Sequence, residues 1–154
     1  MRVTSMVAGL ALVLAACGGE KKAGDQAAAT DSAAGTPAAT APAATGATHD
    51  VDMVMDGTTP KFVPATLTVK SGDVIRFHNK SGGPHSVNFW TDSIPANAAS
   101  TIAITPSSQA LDSEIMNDQD GIVTVTLNNA PAGQYKFYCM PHLAMGMKGV
   151  LTVQ

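Results

Sequence analysis

One stretch of the chain gathers residue types that hold soft metals: Tyr135-Lys136-Phe137-Tyr138-Cys139-Met140-Pro141-His142-Leu143-Ala144-Met145-Gly146-Met147-Lys148-Gly149. Cys139 offers a thiolate, His142 an imidazole three positions on, and Met145 and Met147 offer thioethers beyond it. Soft sulfur together with imidazole selects copper among biological metals, and two His, one Cys and a weak axial Met form an electron-transfer geometry. The second imidazole must come from elsewhere. His85 is well placed, because the Gly82-Gly83-Pro84 turn before it can aim it.

Competing readings of these residues are weaker. A strand Cys is often a small buried hydrophobe. A thioether is a poor zinc ligand, and structural zinc sites take Cys, His or carboxylate. Haem attachment needs Cys-x-x-Cys-His, which is absent. A Cys–His hydrolase needs an orienting third group that nothing here marks. His78 reads as an outward structural residue and His49 as a solvated one at the end of the domain. Met53, Met55 and Trp90 read as packing.

Strands must position this set. From His49 the hydrophobic period is two, with Val51, Met53 and Met55 alternating with other residues. Thr66–Val69, Val74–His78, His85–Trp90, Gly121–Leu127, Gln134–Cys139 and Gly149–Val153 follow as short β-branched or aromatic runs between Gly, Pro and Asn turns. That pattern predicts an all-β Greek-key sandwich or barrel. Parity places Tyr135, Phe137 and Cys139 on one inward face. Region 91–120 predicts a short helical or irregular excursion, with Ser107 or Ser108 capping a helix whose Leu111 and Ile115 share a face.

Gly133–His142 with its trailing Met145-Gly146-Met147, together with Gly82-Gly83-Pro84-His85 upstream, resembles the cupredoxins, especially plastocyanin and pseudoazurin, over roughly residues 50–154. The resemblance implies one type 1 copper ion held by His85, Cys139, His142 and an axial Met. Ala144-Met145-Gly146-Met147 looks like the pseudoazurin loop, which favours Met147, with Met145 as the runner-up. Pro84 and Ser86 flank the first ligand; the family usually has Asn where this chain has Ser86, and a hydroxyl replaces only part of that hydrogen-bond network. The resemblance further implies electron exit through His142 and a docking patch at Pro141, Leu143 and Ala144. Asp112, Glu114, Asp118 and Asp120 read first as solvated loop surface. Their placement also resembles the plastocyanin acidic patch, which would steer a basic partner such as a cytochrome.

The N-terminal third has a different character. Met6–Leu14 is an apolar run too short to span a bilayer and fits a secretory signal at 1–16. Leu14-Ala15-Ala16-Cys17 resembles a lipoprotein lipobox, which makes Cys17 the expected lipidation site. Residues 17–48 read as the lipidated Cys and a disordered linker, since 25 of the 31 positions in 18–48 are Ala, Gly, Thr, Pro or Ser. That leaves 49–154 as the folded domain, with Cys139 its only thiol. A net charge of −3 without a basic cluster argues against nucleic acid as a partner.

The expected function is a one-electron copper carrier of the bacterial cell envelope. It is lipid-anchored, with its domain in the periplasm or on the outer face. Its expected partner is a redox protein, such as a cytochrome or a copper oxidase or reductase, with no small-molecule substrate and no catalysis. The alternative expectation is copper binding for delivery through Cys139, the His ligands and Met140, Met145 and Met147.

Overall fold

A computed structural model describes residues 46–154; the expected signal, Cys17 and the linker as far as residue 45 lie outside the described residues. The strands are β1 (Thr48–Asp56), β2 (Thr59–Val63), β3 (Thr66–Val69), β4 (Val74–Asn79), β5 (Asn88–Phe89), β6 (Ile102–Thr105), β7 (Ser107–Gln109), β8 (Asp112–Ser113), β9 (Ile122–Leu127), β10 (Gly133–Tyr138) and β11 (Lys148–Val153). They form two sheets, ordered β2-β1-β4-β9-β6 and β3-β11-β10-β5-β8-β7. The β1–β4 and β3–β11 pairs are parallel and the remaining pairs antiparallel.

Alternation along each strand turns one face inward. Val51 and Met53 of β1, Ile75 and Phe77 of β4, and Val123, Val125 and Leu127 of β9 meet Tyr135 and Phe137 of β10 and Leu151 and Val153 of β11 in one core. Four phenylalanines concentrate the packing. Phe137 stands against Phe62, Phe77 and Phe89 with ring centroids 4.8, 5.3 and 6.0 Å away. Gly149 opposes Phe137 across the ladder, and a Cβ there would run into the Phe137 ring and stand 2.6 Å from the Ala65 carbonyl oxygen. The glycine is what lets the ring lie over β11.

The region 91–120 departs from the helical detail expected of it. Its short helical element is a 3-10 turn at Ala99–Thr101, followed by β6 and the β7–β8 hairpin. Leu111 has φ +68°, a conformation no helix accepts, and it is buried while Ile115 is 47% exposed, so the two do not share a face. His85–Trp90 likewise forms less strand than expected. Only Asn88–Phe89 are laddered, because the Ser86 N–H is turned to Cys139 Sγ and the Val87 N–H to Ser113 Oγ.

His49 is not merely solvated. Its Nε2 lies 2.8 Å from Asp73 Oδ2, and the same carboxylate accepts the N–H groups of Ala47 at 2.8 Å and Lys70 at 2.9 Å. Asp73 is buried, and one side chain thus ties the start of β1 to the turn before β4. Burial opposes its charge, but the hydrogen bonds from Lys70, His49 and Ala47 outweigh it and hold the carboxyl below the ordinary value of 3.8. A lowered folded pKa stabilises the fold above the unfolded value, and that contribution is lost as pH falls through the folded one. Asp73→Ala is expected to cost roughly 2 kcal/mol at neutral pH by removing the shared acceptor of the Ala47, Lys70 and His49 groups. Its stability should also fall less steeply with acid than the wild type's, as read from denaturant midpoints against pH.

Candidate metal centre

The site is assembled where β10 leaves the core. Tyr135 and Phe137 face inward, so the next inward position is Cys139, which is fully buried. The chain then turns through Met140–Met145, two short 3-10 turns broken at His142. The His142 N–H donates to the Cys139 carbonyl at 3.2 Å, and the Met147 N–H donates back to the His142 carbonyl at 3.2 Å. The Cys139 N–H donates to the Met147 carbonyl at 3.1 Å, closing the loop. Gly146 makes this return possible with φ +85°, where a residue without Cβ is favoured.

His85 arrives from the other direction. Its N–H and carbonyl form a two-way bridge with Met116, at 2.9 and 2.8 Å. The Asn79 amide donates to the Gly83 carbonyl at 3.0 Å and steadies the turn before it. His85 Nε2 lies 3.1 Å from Ser81 Oγ, whose own hydroxyl proton is directed to the Gly82 carbonyl. Ser81 engages Nε2, and Nδ1 is the ring nitrogen turned toward the sulfur.

His85 Nδ1 lies 3.7 Å and His142 Nδ1 3.4 Å from Cys139 Sγ, and the three ligating atoms all fall within 4.8 Å of one another. All are nitrogen or sulfur donors, in a setting that is buried at His85 and Cys139 and half-exposed at His142. Residues 54 positions apart in the chain thus converge as the sequence predicts. Burial and then the neighbouring His142 push His85 down to about 4, so it is neutral at physiological pH. Burial pushes the Cys139 thiol up, opposed by hydrogen bonds from Ser86 and His142, so a metal must displace a proton there. This donor set fits copper.

The two candidate axial methionines differ sharply. Met147 is 1% exposed, whereas Met145 is 52% exposed. Pro141, Leu143 and Ala144 are exposed around the half-exposed His142, and Pro84 is exposed on the facing turn. The four acids do not act as one group. Asp112 accepts the Asn88 amide at 2.7 Å and Asp120 lies 3.7 Å from Lys80 Nζ, while Glu114 and Asp118 are solvated.

Ser86 does more than its size suggests. Besides its N–H to Cys139 Sγ at 3.4 Å, its hydroxyl accepts the Met140 N–H at 3.0 Å and donates to Asn88 Oδ1 at 2.6 Å. It bridges the His85 segment to the Cys139 loop, and Asn88, anchored on Asp112, completes the link. Sequence reading missed Asn88, although an Asn three residues past the ligand His85 was the available signal. Ser86→Ala leaves the buried Asn88 Oδ1 and the Met140 N–H unpaired. We expect a loss of about 2 kcal/mol in the metal-free fold and about tenfold faster copper release to a chelator.

The comparisons agree with this geometry. The model of the copper-binding proteins of the plastocyanin/azurin family matches residues 49–154. Plastocyanin from Rumex obtusifolius is 38% identical over 94 residues, covering 60% of this chain and 87% of that protein. The chloroplastic plastocyanin of Silene latifolia is 39% identical over 92 residues, also 60% of this chain, and the chain spans about half (52%) of its length. Among solved structures, oxidised plastocyanin from Dryopteris crassirhizoma superposes with a TM-score of 0.52 at 26% identity, covering 68% of this chain and 99% of that one. A pseudoazurin from Sinorhizobium gives 0.51 at 27% identity, covering 70% and 74%. The chain belongs to the plastocyanin/azurin family of copper-binding proteins.

Proposed function

We propose that the chain is a type 1 copper protein that carries one electron at a time. The observation that carries this reading is the approach of His85 Nδ1 and His142 Nδ1 to within 3.7 and 3.4 Å of Cys139 Sγ. His85, Cys139 and His142 hold the metal, with Met147 as the fourth, weak ligand, because its side chain is buried at the loop whereas that of Met145 is in solvent. Copper bound there supplies a Cu(II)/Cu(I) couple. The protein's part is to keep the donors fixed: the two strand-anchored segments, the Ser86 bridge and the Ser81–His85 bond resist rearrangement between oxidation states. Plastocyanin-type cupredoxins are electron carriers rather than enzymes, and four protein ligands leave no open position for a substrate.

The half-exposed edge of His142, ringed by Pro141, Leu143 and Ala144, supports an exit for the electron and a small apolar docking face for a redox protein. The lipobox-like Leu14–Cys17 supports a lipid-anchored place in the cell envelope. The exposed Met140 and Met145, each 52% accessible, favour the second reading, copper delivery. One experiment separates the two. The copper-loaded protein is cycled repeatedly between oxidised and reduced states in the presence of a Cu(I) chelator. Retention of the metal through repeated one-electron cycles supports the carrier; loss of copper to the chelator on first reduction overturns it in favour of delivery.

A further inference from the structure

A recess lies on the outer face of the β3–β11–β10 sheet. Strand register sets its walls: Lys136 pairs with Val150, Tyr138 with Lys148, and Val150 with Thr66. Directly opposed residues share a face, so Lys136, Tyr138, Lys148, Val150 and Thr66 project together from the outer surface. Trp90 stacks on Tyr138 with ring centroids 4.4 Å apart and planes 28° from parallel. The result is a cleft of about 240 Å³ lined by Ala65, Thr66, Trp90, Lys136, Lys148, Gly149 and Val150. It continues past the same Trp and lysines into a second recess of about 290 Å³ that reaches Asp92 and Ser93.

The charge there runs against that of its surroundings. Residues 46–154 carry six Lys and Arg against nine Asp and Glu. Lys61, Arg76 and Lys80 are each paired with an aspartate. Among the described residues Lys70, Lys136 and Lys148 have no carboxylate partner within 4 Å; Lys70 lies at the turn before β4, and the other two stand together at this cleft. Two unneutralised ammonium groups over an apolar floor and beside an indole match a ligand that is flat, apolar in its body and negative at one end. The volume accommodates a ring rather than a folded partner. Asp92, with its carboxylate accepting the Ser93 hydroxyl at 3.1 Å, marks the outer end and disfavours a second negative charge.

We propose that this cleft binds a small planar aromatic anion, a single-ring carboxylate or sulfonate, with its ring against Trp90 and Val150 and its charge between Lys136 and Lys148. The site is independent of the copper reading, and its test does not depend on the metal. Trp90 is the chain's one tryptophan, so its emission reports on the cleft directly. The full chain, with and without copper, is titrated with toluenesulfonate, with benzylammonium and with inorganic sulfate. Tryptophan emission and amide chemical shifts are followed together. Toluenesulfonate should saturate with a Kd of about 1 mM in both forms, moving the Trp90 indole and the Lys136 and Gly149 amides. Benzylammonium and sulfate should leave them unmoved.

Lys136→Glu and Lys148→Glu should each weaken toluenesulfonate about fivefold or more, and Asp92→Asn should strengthen it about twofold. Equal binding of the anionic and cationic rings would reduce the cleft to a nonspecific apolar surface and overturn the proposal. Full affinity in both charge-reversed variants, or shifts spread away from Trp90, would overturn it too.

Discussion

Cys139→Ser protein mixed with Cu(II) is expected to remain colourless, whereas the wild type turns intensely blue through thiolate-to-copper charge transfer. The sulfur is the pivot of the site: both imidazole nitrogens face it, and the Ser86 N–H points at it. Serine keeps the size and can still accept that N–H, so the metal-free fold should survive with a loss of about 1–2 kcal/mol. The metal, in contrast, loses its one soft anionic ligand. Copper affinity should fall more than about 100-fold, or about 2.7 kcal/mol, and what binds should lack the blue band. Copper titration followed by visible absorption checks this, with a thermal melt of the metal-free variant as the folding control. Blue colour in the serine variant would remove Cys139 from the site.

Phe137→Ala is expected to carry the largest cost to the fold. Its ring contacts three other phenylalanines, and Gly149 has given up its side chain to admit it. Truncation removes buried apolar surface and opens a cavity that the two sheets cannot close, at roughly 3–5 kcal/mol. For a domain of this size that lowers Tm by about 15 °C or more. Because Cys139 lies two residues further along the same inward face, the cavity also undermines the end of β10, and copper should be released faster. Met55→Ala, at a 39% exposed position on β1, is the matched control and should shift Tm little. Calorimetry of both variants reads the contrast. A small shift for Phe137→Ala would mean that the core is plastic and does not brace the metal loop.

The parts of this molecule that were legible from sequence are those in which one physical rule acts alone. Val51, Met53, Ile75, Phe77, Val123, Val125, Tyr135 and Phe137 alternate cleanly, so their strands and inward faces could be read directly. The Cys139–Met147 loop was legible because its donors are crowded into nine residues. Elsewhere the rule was diluted. β2 buries Pro60 and Phe62 in alternation, but a proline within a five-residue run hides the strand from sequence reading; β7 is Ser107-Ser108-Gln109, exposed throughout, and exists because β8 offers hydrogen bonds. Leu111 and Ile115 have helical spacing, but the left-handed turn at Leu111 separates them, and no local signal marks a non-glycine residue for that conformation.

The binding partners of single polar residues were least visible. His49 finds Asp73 across 24 positions, and Ser86 finds the Met140 N–H across 54. Neither pairing follows from composition or period, since each depends on which strands become neighbours within a sheet, β1 with β4 and β5 with β10. The Ser86 position looked like a weakness against the family's usual Asn. With Asn88 and Asp112 beside it, the hydroxyl still links the two halves of the site.

X-ray absorption at the copper edge, on the full chain in both oxidation states, reads the coordination itself. One short bond to a thiolate sulfur and two to imidazole nitrogens are expected, nearly unchanged on reduction. A shell of nitrogen and oxygen only, or one that loses a ligand when Cu(II) becomes Cu(I), would contradict it.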